Sequence, residues 1–254
     1  MILTNDQLLL FHSYISSGPL DKASVIIFGN ELGTASGGGN TERAVNLFLN
    51  EFKTRKLLRI GEGFGMLEVG SMPVSSTFLQ FISRLMLGLK YKDDRFFDSL
   101  TSEGSVFLNN YIMNELYKKD TAIVNLKPLL QTTERVWDYS NISENEYRSM
   151  YNFKTRHSVP NYYRDLRLRV LKDGFNMAKN ALIIGSGDRH NKMAFFQTIY
   201  PTVNFEELIL NDAIEIYYSA SHRIILANYF DHRNAKLIGL REIYKFIIKE
   251  KLLA

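Results

Sequence analysis

The sequence predicts an α/β fold of three layers, α/β/α, built on a central, mainly parallel four-stranded sheet. Three observations carry this expectation. Four short, largely apolar runs, Ala23–Gly29, Thr121–Leu126, Ala181–Gly185 and Arg223–Ala227, have strand length and turn residues at their ends. Continuous rather than alternating apolar character suits strands buried on both faces. Segments with apolar residues at helical spacing separate the runs, and strands alternating with helices imply parallel pairing with helices on both sides. At 254 residues, 45% hydrophobic and 23% charged, the chain also has the length and composition of one large α/β domain. No internal repeat or long linker divides residues 1–254, so a single domain is expected.

In chain order, residues 5–16 read as an opening helix closed by Ser17-Gly18-Pro19, and the first strand follows. Asn30–Asn40 is a glycine-dense loop. Thr41-Glu42 then starts a helix with Ala44, Leu47, Phe48 and Phe52 at helical spacing. After Pro73, Ser75 or Ser76 can cap a helix that carries Phe78, Phe81, Ile82, Leu85, Met86 and Leu89 on one face. The second strand is expected to break at Pro128. A basic helix around Tyr162–Ala178 precedes the third strand, and a closing helix with Leu240, Ile243, Tyr244, Ile247, Ile248 and Leu252 follows the fourth. Within residues 203–221, Glu215–Tyr218 is either an extra strand or part of a helix.

Composition removes several classes of function. No apolar run approaches the roughly 20 residues of a membrane helix, and residues 1–20 lack a signal-peptide pattern. With no cysteine there is no disulfide, thiolate zinc site or Cys nucleophile. A cytoplasmic protein with no membrane partner is expected. Lys plus Arg exceed Asp plus Glu by 31 to 27, a net charge of +4 that permits a polyanionic partner without requiring one. The 17 Phe and 14 Tyr serve either the core or base-stacking platforms.

In parallel sheets, ligands bind outside the carboxyl ends of the strands, so the four segments after the strands matter most. Gly29-Asn-Glu-Leu-Gly33 followed by Gly37-Gly38-Gly39 lets backbone approach a ligand, but has neither the P-loop ending nor the GxGxxG order. It places a carboxylate, Glu31, which is either functional or a loop acid. Asn125 puts an amide at the end of the second strand, where it either ties down a loop or reads a base edge. Gly185–His190 is either a turn or a helix start able to hold phosphate. Asp188 and His190 lack a third ligand, so no metal is expected. Asn228–Asn234 carries His232, followed by Arg233, Lys236, Arg241 and Lys245.

Taken together, these segments resemble the uracil-DNA glycosylase superfamily over residues 23–250. Gly29-Asn-Glu-Leu-Gly33 resembles that family's glycine turn, with Glu31 at the place of the water-activating acid. Phe64–Glu68 stands where the pocket wall stacks the base, and Met72-Pro-Val-Ser-Ser76 where a Pro/Ser segment touches the DNA backbone. Asn125 matches the base-reading Asn. Asp231–Gly239 is similar to the final motif, which carries a His and a wedging loop.

The resemblance implies a monofunctional DNA glycosylase that needs no cofactor and leaves an abasic site. Glu31 and His232 would be catalytic, with loop N–H groups an alternative to His232 as donors to the departing base. Asn30, Gly33, Phe64, Glu68 and Asn125 would contact the base. Ser75, Ser76, Arg233, Lys236, Arg241 and Lys245 would hold DNA phosphates, and Leu237 would be the wedge. Leu32 stands where the family has Pro, and Arg233-Asn234 where it has Pro-Ser. These departures, with the glycine-rich loop Thr34–Asn40, point away from uracil and toward a bulkier base such as a sugar-decorated phage cytosine, in repair or antiviral defence. A non-catalytic DNA-binding relative and a nucleoside or nucleotide hydrolase are the alternatives.

Overall fold

A computed structural model describes residues 1–33, 41–54, 77–116, 121–131, 137–155, 160–230 and 236–253. Its strands are β1 (Ser16–Ser17), β2 (Val25–Gly33), β3 (Thr121–Gln131), β4 (Leu182–Ser186), β5 (Glu206–Leu210), β6 (Ile214–Ser219) and β7 (Ile224–Ala227). The helices are α1 (Asn5–Ser13), α2 (Thr41–Thr54), α3 (Thr77–Tyr91), α4 (Ser102–Asn114), α5 (Glu144–Met150), α6 (Tyr162–Met177), α7 (Arg189–Ile199) and α8 (Lys236–Lys249).

The strands form one sheet in the order β1-β3-β2-β4-β7-β6-β5. Its centre, β3-β2-β4-β7, is parallel and consists of the four strands expected from sequence. Among the described residues the sheet nevertheless has seven strands rather than four, because antiparallel strands extend both edges. Residues 206–219 form an antiparallel hairpin whose turn holds Asn211 and Asp212 at φ 46° and 53°, a conformation these residue types tolerate. Glu215–Tyr218 is therefore strand.

Two central strands run further than expected. β2 continues through Asn30–Gly33, which the sequence assigned to a loop, and β3 continues past Pro128. The ladder accommodates the proline by slipping: Glu31 pairs with Lys127, but Leu32 pairs with Leu130. A residue without an N–H is tolerated at such an irregularity. The displaced Leu129 amide donates instead to the Tyr147 hydroxyl at 2.8 Å.

Alternate residues of a strand face opposite sides, and here they enter two cores. Ile26, Phe28, Val124 and Leu126 pack with α1, α2, α6 and α7. Val25, Ile27, Leu182, Ile184 and Ile225 pack with α3, α4 and α8. Phe28 is surrounded by the rings of Phe175, Phe195 and Phe196, with centroids 5.2–5.4 Å away. Local signals start the helices: Thr4 and Gln7 form a reciprocal capping box on α1, and Asn161 caps α6. The expected Ser75 and Ser76 caps lie outside the described residues. Among the described residues, no helix is long and apolar enough to cross a membrane.

His12 lies buried in the first of these cores. A carbonyl can only accept, so the 2.7 Å contact with Leu8 O makes Nδ1 the protonated nitrogen. Nε2 is buried without a partner among the described residues. Burial, outweighing the Leu8 bond and aided by the nearby Arg167 charge, depresses the imidazole pKa from 6.5 to about 4. The unfolded chain therefore takes up this proton first as pH falls. Stability from the neutral ring is complete above pH 6.5 and lost on descent to about pH 4, a loss of about 3 kcal/mol. Urea unfolding at the two ends of that window is expected to show this loss in the wild type and a smaller one in His12→Gln.

Candidate functional site at the carboxyl edge of the sheet

The register of the parallel strands aligns four residues in a row, at the carboxyl ends of β4 and β7 and in the middle of β2 and β3, so that Asn125 does not end its strand as the sequence led one to expect. Gly29 pairs with Asn125, and Phe28 pairs with Gly185, so Gly29 lies level with Ser186. Ser186 in turn pairs with Ala227. By alternation, all four sit on the face that packs against α3 and α8. Three are small and one, Asn125, bears a buried amide. A Cβ at position 29 would collide with the Asn125 amide oxygen; the amide leans across β2 because position 29 has no side chain. Gly29→Ala is expected to displace it and cost about 1–3 kcal/mol, the usual price of overpacking, read by thermal unfolding and by a shift of the Asn125 side-chain amide resonances.

Ser186 shapes the next segment. Its Oγ accepts from the Phe230 N–H at 3.1 Å, and Phe230 is fully buried. Asn228 and Tyr229, between the end of β7 and this anchor, are turned outward. Tyr229, 46% exposed, stacks on Phe78 of α3 with centroids 5.5 Å apart and planes 13° from parallel. Sequence reading placed Phe78 in a core stripe and did not single out Tyr229. The signal was two aromatics directly after a strand end, of which only one can be buried.

The other face of the same edge is charged. Lys192 of α7 is fully buried, and its ammonium donates to Ser186 O at 2.8 Å and to the Asn30 amide oxygen. Asn30 and Asn125 thus reach the same edge from opposite sides of the sheet. Asp188 caps α7, accepting from the Asn191 N–H and the Lys154 ammonium, each at 3.0 Å. Burial raises its pKa, but these bonds and the Lys154 and Lys192 charges outweigh that and hold it low. The segment is therefore a helix start, and the Asp188 carboxylate caps it where a phosphate was one of the two expectations. His190 shares a 3.2 Å hydrogen bond with the Tyr217 hydroxyl, and Arg189 is paired with Glu215. Among the described residues, no group of three or more metal-ligating side chains gathers.

Of the other expected site residues, Glu31 stands on β2 in register with Lys127, and Gly33 closes β2 opposite Gln131. Phe64, Glu68, Ser75, Ser76, His232 and Arg233 lie outside the described residues. Lys236 is exposed at the start of α8. Leu237, the expected wedge, packs half-buried against the α3/α8 core, whereas its neighbour Ile238 is 60% exposed. Arg241 is held by Asp98 and by Asp94 O, and Lys245 donates to Glu242 at 2.8 Å. At 1.5 Å rise per residue, Lys245 lies about 13 Å along the helix from Lys236. A shallow cleft of about 700 Å³ along α2, lined by Gln7, Glu42, Arg43, Asn46 and Asn50, holds none of the expected residues.

No protein-family model matches the chain, and neither does any curated protein or solved structure.

Proposed function

We propose that this protein is a monofunctional DNA glycosylase with a three-layer fold like that of the uracil-DNA glycosylases. It acts on cytoplasmic DNA and excises a flipped, damaged or modified base, with bulky phage cytosines as the favoured class. The observation that carries the reading is the pairing of Gly29, which Asn30 and Glu31 follow on β2, with Asn125 on β3, level with the carboxyl ends of β4 and β7. In this mechanism the C1′–N bond breaks with its electron pair going to the base, and the sugar gains oxocarbenium character. Glu31 stabilises that charge and takes a proton from the water whose oxygen bonds to C1′. Asn125 reads the base edge with one acceptor and two donors. His232 or loop N–H groups supply hydrogen bonds to the departing base.

A second reading, a nucleoside or nucleotide hydrolase, draws support from the pairing of Arg241 and Lys245 with acids of the same chain. One experiment separates the two. Mass spectrometry follows release of free base from DNAs containing uracil, deaminated purines, alkylated bases and hydroxymethylated or glucosylated cytosines, alongside the free nucleosides. Release from one DNA supports the glycosylase; turnover of nucleosides alone supports the second reading.

A further inference from the structure

We propose that Lys192 is a positioning residue that locks the Asn30 amide, so that Asn30 presents its N–H donors to an oxygen of the ligand. This rests on the reading of the carboxyl edge as the ligand site. Lys192 is fully buried although it carries an ammonium, and that group reaches the edge between β2 and β4. There it donates to Ser186 O at 2.8 Å and to Asn30 Oδ1. An ammonium has donors only, which settles the orientation of the amide: its oxygen faces Lys192 and its NH₂ faces away. The turn that follows β4 is built around the pair. Gly187 holds φ at 115°, and a Cβ there would stand 2.6 Å from Asn30 Nδ2 and 3.1 Å from Lys192 Nζ. Asn30 itself is half-buried at the rim, and its NH₂ lies on the Gly187 side of the amide.

The complementary chemistry is an oxygen acceptor, either a base carbonyl or a phosphodiester oxygen. Asn30→Asp keeps the shape, gives Lys192 a carboxylate partner and replaces the donors with acceptors. Its melting temperature is expected to equal or exceed that of the wild type while base release falls roughly 10²-fold, the usual effect of losing one aimed donor. A purely structural role would move stability and activity together. Binding to DNA containing a tetrahydrofuran abasic site distinguishes the two oxygens: it survives in Asn30→Asp if the partner is a base carbonyl, and falls if it is a phosphate.

Nuclear magnetic resonance tests the lock without activity. In the wild type, the Lys192 ammonium signal is expected to persist against solvent exchange and show a contact to Asn30; in Lys192→Met the Asn30 side-chain amide signals shift. Wild-type release rates in Asn30→Asp, or a Lys192 ammonium with no contact to Asn30, would overturn the proposal. Absence of base release from every DNA by the wild type overturns the glycosylase reading instead, and the resonance data still decide the lock.

Discussion

Glu31→Gln is expected to lower base release by about 10²–10⁴-fold, the range contributed by a positioned acid–base group, while DNA binding persists. The expectation follows from position 31 lying on the central strand β2, two residues beyond Gly29, whose neighbour across the ladder is Asn125. In the proposed mechanism a carboxylate there serves the sugar, and the amide of Asn125 serves the base. Gln keeps the size of the side chain and removes both its charge and its ability to take a proton. Single-turnover release measured with saturating enzyme isolates this step from binding. A Glu31→Gln variant that releases base at the wild-type rate would remove Glu31 from the mechanism.

The second large effect concerns stability. Arg167→Met is expected to lose about 3–5 kcal/mol, the scale of breaking a buried charged network, and to lower the melting temperature by roughly 10 °C. Arg167 of α6 is buried and donates to four carbonyls: those of Tyr14 and Asn125, Leu126 O at 3.3 Å and His12 O at 3.4 Å. Burial pulls its pKa down to about 10, against the opposing influence of Tyr151, Tyr147 and Tyr14, so it stays charged at neutral pH. Met fills part of the volume but takes the guanidinium donors away from these carbonyls in the interior, and each lost bond is costly. Two of the carbonyls belong to the middle of β3, at Asn125 and Leu126. The same variant should therefore also slow base release, by letting Asn125 move. Arg167→Lys, which keeps charge with fewer donors, should fall between the two in thermal unfolding.

The central strands were legible because each is a continuous apolar run. Of the hairpin, β6 was open between strand and helix, and β5 was not legible, since it is an edge strand, mostly exposed, with little apolar pattern. The extension of β2 through Asn30–Gly33 was hidden by residues that also make loops. Pro128 read as a stop because its effect depends on a partner strand able to slip at that point. At the site, Asn125 and Glu31 stood out as polar groups at the expected strand ends, although both strands run on. The contact of Asn125 with Gly29 is a matter of register, which single strands do not reveal. Lys192 and Asn30 lie 162 positions apart, and nothing local distinguishes a buried lysine of α7 from a solvated one. Arg167 was likewise one cation among several in a basic helix, and only the fold surrounds it with carbonyls.

The most direct measurement is the product of a single turnover on whichever modified DNA the protein binds most tightly. Free base is quantified by mass spectrometry, and the strand is then examined before and after alkali. The account requires stoichiometric free base from the wild type, none from Glu31→Gln, and a strand that stays whole until alkali cleaves it at the abasic site. Tight binding with no free base, or equal release by both proteins, would contradict it.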